Sequence, residues 1–432
     1  MEEHMKILWV CNIMLPVIAK RLNLPYSNRE GWLSGLLDRV ISEQDRNHIE
    51  LGIAFPVDES IGAFDQVMQL GENISCHCYA FVENLNTPEN YDVELEAFFK
   101  LIIDDYKPDI LHVFGTEFPH ALAAVKVFDQ PDKTLIGIQG LVSACAKVYM
   151  ADLPVKVQRQ TTFRDMIRKD SLRQQQKKFE KRGEYEIEAI KRVNHIAGRT
   201  DFDRTETAKI NPDAVYHYLN ETLRGVFYRD RWKSSTCQSY RIFLSQGDYP
   251  LKGFHYLLKA MPKILEQFPD AEVYVAGSNI LRAETWKDVL KLPAYGKYLK
   301  KLIRENHLED KIHMLGRLNA EEMKEQYLSC QVFVCPSALE NSPNSVGEAM
   351  LLGVPCVAAN VGGIHNLLTD GGDGFLYPPG DVDALADSVI EIFTKEAIVE
   401  RLSDNARKHA RVNHDADQNY YRLMRIYREM SE

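Results

Sequence analysis

No apolar run in this 432-residue chain reaches the roughly 18 residues that a bilayer-spanning helix needs, so no membrane-spanning segment is expected. No CxxC pair occurs among the eight cysteines, which argues against a paired-cysteine zinc site or a redox motif. Cys76 and Cys78 flank His77, but side-chain alternation along a strand accounts for them better than a metal site does. Unpaired cysteines inside apolar runs, such as Cys11, Cys335 and Cys356, suit a reducing cytoplasm. Basic residues are in deficit: 52 Lys and Arg face 62 Asp and Glu, a net charge of -10 that disfavours general nucleic-acid binding. Repeats and low-complexity tracts are absent. The N-terminal "MEEHMKILWVCNIML" is acidic, and its apolar part reads as a strand rather than a signal peptide. What remains is an ordinary soluble composition, 45% hydrophobic and 26% charged, with material for the cores of two or three domains.

Short apolar runs recur along the chain, with helical patterns between them. "KILWVCNI", "HIELGIAF", "CHCYAFV", "DILHVFG" and "TLIGIQG" read as strands in the first half. "RIFLSQG", "AEVYVAGS", "KIHMLGR", "VFVCPS", "VPCVAAN" and "GFLYPPG" follow in the second. Strands alternating with helices at this spacing imply parallel sheets covered on both faces. The fold class is therefore α/β, with two doubly wound domains rather than one long sheet. The break is expected within Asn220–Cys237. The first domain is assigned to residues 1–225 and the second to 226–413. The last segment, 414–432, has helical periodicity and an aromatic face.

One stretch departs in charge. From Lys156 to Arg182, ten Lys and Arg stand against three Asp and Glu. One reading is a solvated helix face. The other is a patch that attracts an anionic acceptor, or peripheral contact with the inner face of an anionic membrane.

Two carboxylates, Glu340 and Glu348, are separated by seven residues in "ALENSPNSVGEAMLLGVPCVAANVGG". Glu340 lies just past the strand "VFVCPS", and "VGEAMLL" starts a helix. In open α/β sheets, ligands bind beyond the carboxyl ends of the strands. Ser345-x-x-Glu348 also fits a capping box, which would make Glu348 structural. Alternatively, the backbone amides of Asn344, Ser345 and Val346 would hold a phosphate at the helix start. Glu348 would then take a ribose diol and Glu340 the hydroxyls of a sugar.

The run from Cys335 to Val389 closely resembles the C-terminal signature of retaining GT-B glycosyltransferases of the family 4 type, the glycosyl transferases group 1. The shared pattern is PS-x-x-E, seven residues, E-A-M, then G-x-P, G-G, D-G-x-x-G and P-x-G-D. Weaker features continue in "KGFHYLLKAMPKI", "VYVAGS" and "HMLGRL", which bring Gly277 and Arg317 into the set of donor-binding residues. The resemblance implies two Rossmann-like domains facing across a cleft, with the C-terminal helix returning to the first. It implies transfer from a UDP- or GDP-sugar to a saccharide or lipid-linked acceptor, in polysaccharide or glycolipid synthesis, without a metal or other cofactor. It assigns Glu348 to ribose, Glu340 to the donor sugar, and Lys252 to the diphosphate. An inactive nucleotide-sugar-binding scaffold, or an epimerase or phosphorylase of the same architecture, are the alternatives.

Several positions depart from that pattern. The arginine that family members often carry shortly before the lysine is replaced by Gln246 or Gly247. Arg199 or Arg224 would supply the missing cation; an ion pair of Arg199 with Asp201 or Asp203 is the plain alternative. Asp201-Phe202-Asp203 has DxD spacing but reads as helix-start acids. The expected glycine-rich loop is replaced by "PYSNREGWLSG", where Gly31 takes the role of close approach to phosphate or acceptor. Thr116, Glu117 and His120 follow the strand "DILHVFG". His120 is a candidate for catalysis or a core histidine, and His112 reads as core.

Overall fold

The computed structural model describes residues 4–24, 31–70 and 75–432. It divides into two compact units. One comprises residues 1–144, 178–224 and 414–432, and the other 145–177 and 225–413. Residues 145–177, which the sequence reading places with the first domain, group with the second unit. No described helix is long and apolar enough to cross a membrane.

The first unit is built on eight strands: β1 (Met5–Val10), β2 (Ile49–Val57), β3 (Phe64–Gln69), β4 (Ser75–Val82), β5 (Ile110–Phe114), β6 (Thr134–Gly137), β7 (His195–Gly198) and β8 (Val215–Tyr218). Their order is β3-β4-β2-β1-β5-β6-β7-β8, and β3 alone among them runs antiparallel, against β4. Central strands read as unbroken apolar runs because helices cover both faces. Leu8, Trp9 and Val10 of β1 are all fully buried, as are Ile110, Leu111 and Val113 of β5.

The C-terminal helix Ala416–Ser431 belongs to this unit. Asp415 caps it, accepting a hydrogen bond from the Gln418 amide at 2.8 Å. Its buried aromatic face places the Tyr427 hydroxyl between two core side chains. Trp9 Nε1 donates to it at 2.9 Å, and His112 Nδ1 lies 2.6 Å away. His112 is therefore a core histidine, and burial lowers its pKa to about 3. Tyr427→Phe leaves the buried Trp9 N–H without its acceptor. That should cost about 1–3 kcal/mol of stability, read by urea unfolding.

The second unit has six strands: β9 (Arg241–Leu244), β10 (Glu272–Ala276), β11 (Ile312–Gly316), β12 (Val332–Cys335), β13 (Cys356–Ala359) and β14 (Phe375–Tyr377). All pair in parallel, in the order β11-β10-β9-β12-β13-β14. The chain direction across the sheet reverses between β9 and β12, a switch point at which the following loops diverge and leave a crevice.

Candidate functional site

The loops after β9 and β12 meet at that switch point. After β9 the chain makes a short 3-10 turn, Pro250–Lys252, and Gly253 ends it at φ +68°. A Cβ on Gly253 would lie 1.8 Å from the Pro336 carbonyl oxygen, so glycine alone permits this approach. The Ala338 amide donates to the Leu251 carbonyl at 2.8 Å, which fixes one loop against the other. Lys252 is thereby brought to Glu340. Its Nζ lies 2.6 Å from Glu340 Oε1, and Ser337 Oγ donates to the same oxygen at 2.7 Å. The loop after β13 closes on Glu340 from its backbone side. Gly363 N donates to the Glu340 carbonyl at 3.0 Å, and Gly362, at φ +52°, leaves room for that oxygen.

Burial would depress the pKa of the Lys252 ammonium, but the Glu340 carboxylate overrides it and holds the pKa well above the usual lysine value. Tyr249, half-buried near it, has its own pKa raised by desolvation to about 12. Lys252 is therefore a fixed cation, partly open to solvent.

Glu348 sits one turn inside the helix Asn344–Leu352 and is 5% exposed. The helix is capped by Pro343, with no side-chain hydrogen bond at the cap. The Ser345–Glu348 capping box read from spacing is thus not formed. Tyr327 OH instead donates to the Ser345 carbonyl at 3.0 Å and lies 3.4 Å from Glu348 Oε2. Of the three amides expected to face an anion, Val346 N is already engaged by the Pro343 carbonyl at 3.0 Å. The amides of Asn344 and Ser345 have no partner among the described residues. The helix start therefore offers two open N–H groups rather than three.

Gly277 and Arg317 lie at the same carboxyl edge of the sheet. Gly277 N donates to the Gly316 carbonyl at 2.8 Å, and Arg317, exposed, reaches Ser278 Oγ at 3.4 Å. Gly31 opens the helix Gly31–Asn47, while residues 25–30 of its loop lie outside the described residues.

The candidates of the first unit group differently. Arg199 is 4% exposed; its Nη1 lies 2.5 Å from Glu221, and Nη2 donates to the Gln139 carbonyl at 2.9 Å. Its guanidinium is engaged within its own unit, so the reading of Arg199 as the missing cation is replaced by a structural ion pair. The partner is Glu221 rather than Asp201 or Asp203. Asp203 instead caps its helix with Thr200 and also accepts from the Arg199 amide at 2.9 Å. His120 is fully buried, with Nδ1 2.5 Å from Glu83 and Nε2 3.0 Å from Asn12 Oδ1. It orients Asn12, whose Nδ2 donates to Glu117 at 3.0 Å. Glu117 is partly exposed at the carboxyl end of β5, and burial raises its pKa despite the hydrogen bonds it accepts from Asn12 and from Gly140 N.

Residues 228–409 match the family model described as glycosyl transferases group 1. The matched region holds Lys252, Glu340, Glu348 and the open amides of Asn344 and Ser345. Among curated proteins, an uncharacterized glycosyltransferase of Methanocaldococcus jannaschii is 31% identical over 157 residues, 36% of each chain. The phosphatidyl-myo-inositol mannosyltransferase of Mycobacterium leprae is 29% identical over 161 residues, 37% of this chain and 38% of that one. The matches thus span under two fifths of the length of these relatives. Solved structures are similar over nearly the whole chain. A sucrose-phosphate synthase from Thermosynechococcus elongatus superimposes with a TM-score of 0.68 at 15% identity, covering 98% of both chains. HepE of Anabaena, in complex with UDP-glucose, gives 0.65 at 15% identity, covering 99% of this chain and 100% of that one. At such identity the likeness is one of fold, and the fold is GT-B.

Ser337 belongs to the PS-x-x-E pattern, so its contact with Glu340 had a signal in the group 1 sequence. Tyr327, which braces Glu348, had none: it lies on the helix Ala320–Ser329, where a buried tyrosine looks like any core residue. Asn12 was equally silent, since its role depends on β1 and β5 being neighbours.

Proposed function

We propose that the chain transfers a sugar from a UDP- or GDP-sugar to a hydroxyl of a saccharide or lipid-linked acceptor, with retention at the anomeric carbon. The observation that carries this reading is the Lys252–Glu340 pair at the switch point of the second sheet, beside the open amides of Asn344 and Ser345. A nucleoside diphosphate sugar presents a ribose, a diphosphate and a sugar in that order. Glu348 accepts from the ribose diol. The two amides and Lys252 take the diphosphate, and Glu340 accepts from sugar hydroxyls. The bond from the anomeric carbon to the diphosphate breaks, and the acceptor oxygen bonds to the same face of that carbon. The acceptor's proton passes to the departing phosphate oxygen. Negative charge grows on the leaving group, where Lys252 stabilises it. The group 1 match and the structural neighbour solved with UDP-glucose support the donor class.

Glu340 holds Lys252, so a donor diphosphate competes with the carboxylate for the ammonium. Glu340→Gln removes that competition. It should leave free UDP or GDP affinity intact or slightly higher, yet lower turnover with the intact donor by about tenfold, the effect of weakening one charged hydrogen bond to the reacting sugar. A thermal-shift screen of UDP-, GDP- and ADP-sugars identifies the donor first, since a bound ligand raises apparent stability. Binding without any release of nucleotide from the donor, in the presence of varied acceptors, would count against transfer and for a scaffold.

A further inference from the structure

One face of the second unit inverts the usual placement of side chains. The short helix Phe163–Arg168 buries its acid and exposes its apolar residues. Asp165 is 1% exposed, and its Oδ2 accepts hydrogen bonds from the Thr162 and Ala294 amides, each at 3.1 Å. Phe163, Met166 and Ile167 are 52%, 62% and 65% exposed. The inversion is held by hydrogen bonds: rolling the helix to cover its apolar side chains would strip Asp165 from Ala294. Three large apolar side chains displayed on six residues ask for a covering surface.

The surroundings say which kind. Ala294 begins the helix Ala294–Glu305, which carries Lys297, Lys300, Lys301 and Arg304. Lys297 and Lys301 line two open grooves at once. One, of about 830 Å³, is shared with Val155, Lys156 and Arg159. The other, of about 930 Å³, is shared with Arg282, Leu281 and Val289. Trp286, on the same short helix as Val289, is 70% exposed. Lys301 is paired with Glu305 at 3.5 Å, whereas Lys156, Arg159, Lys297 and Arg304 make no ion pair among the described residues. Unpaired cations beside exposed apolar side chains form a local exception on a chain of net charge -10.

We propose that this face docks on an anionic phospholipid bilayer. Phe163, Met166 and Ile167 enter the boundary with the acyl chains, and the unpaired Lys156 and Lys297, which line one groove, take headgroup phosphates. The net charge of -10 is repelled by the same surface, which favours approach through this basic face. The distal part of the basic stretch picked out from sequence does not contribute equally. Lys178 is paired with Glu89 at 2.9 Å and Lys181 with Glu184 at 2.5 Å. The inference does not depend on the sugar-transfer reading.

Flotation of the full chain with vesicles tests it, using phosphatidylcholine alone and an equal mixture with phosphatidylglycerol. The protein should float with the mixed vesicles, not with phosphatidylcholine, and should be released as salt rises through the physiological range. Lys156→Ser with Lys297→Ser should weaken binding about 30-fold, the loss expected for two basic contacts with an anionic surface. Met166→Ser with Ile167→Ser should weaken it about tenfold or more. Lys178→Ala with Lys181→Ala should leave it within about twofold, because those ammonium groups are already neutralised. The changed side chains are exposed or line open grooves, so melting temperatures should stay at the parent value. Three results would overturn the proposal: a parent protein that ignores the mixed vesicles at low salt, binding that neither pair of serine changes alters, or equal loss in the Lys178/Lys181 variant. A fourth is lipid-free self-association, seen by sedimentation, that disappears with Met166→Ser and Ile167→Ser. That would give the face to a second copy of the chain.

Discussion

Lys252→Ala is expected to lower the sugar-transfer rate by about 10²–10³-fold, the range seen when one group that stabilises developing charge is removed. The fold should survive. Lys252 is partly solvent-accessible, and after its loss Glu340 keeps the Ser337 hydroxyl and can be reached by water. The rate falls more than the donor affinity because charge accumulates on the diphosphate as the anomeric bond breaks. An interaction that strengthens along the reaction acts on the chemical step. Initial rates at saturating donor, with a melting curve as control, separate the two effects. Near-normal turnover would place the leaving-group cation elsewhere. Arg199 is engaged by Glu221, so Arg317, exposed at the same sheet edge, would be the next residue to replace.

Glu348→Ala is expected to weaken free nucleoside diphosphate binding by about 10- to 150-fold, the equivalent of roughly 1.5–3 kcal/mol for a charged hydrogen bond. The helix does not use Glu348 as a cap: its N-cap is Pro343, without a side-chain bond. Tyr327 OH retains the Ser345 carbonyl when the carboxylate is gone. A large loss of affinity with little change in stability is therefore the signature of a ligand-facing acid. Calorimetric titration of UDP and GDP, set beside urea unfolding, reads both. Unchanged affinity in the variant would make Glu348 a purely structural residue and remove the ribose assignment. Equal loss in Glu340→Gln and Glu348→Ala would remove the division between sugar and nucleotide ends.

Much of the architecture was legible in the linear chain. Short apolar runs marked β1, β2, β4, β5, β6 and all six strands of the second sheet, strands of three to nine residues; in the central ones, buried on both faces, no polar side interrupts the run. β3, β7 and β8 were not legible. "FDQVMQ" and "VYHY" are edge strands with few buried side chains, and "HIAG" offers only two apolar side chains, so no apolar run marks them. Their strand character comes from the neighbour they pair with.

The site divides the same way. Glu340, Glu348 and the turn at Gly253 stand in local patterns whose spacing is set by one strand end, one loop and one helix start. Local spacing also misled: Ser345-x-x-Glu348 looks like a capping box, yet the helix begins at Asn344 after a proline. Arg199 has two acids close in sequence and pairs with Glu221 instead, 22 residues away. A side chain's nearest neighbours in the chain compete with partners that the sheet order brings in, and a buried charge goes where desolvation is best repaid. The chain alone therefore determined the α/β class, the doubly wound layout and the family signature, since these follow from hydrophobic period and short motifs. Tertiary structure alone decided that Lys252 meets Glu340 across 88 residues, that His120 is sealed behind Asn12, and that Phe163, Met166 and Ile167 face outward while Asp165 is bonded to Ala294. Each of those depends on which strands and helices are neighbours in space, and contacts between elements far apart in sequence leave no periodic trace in it.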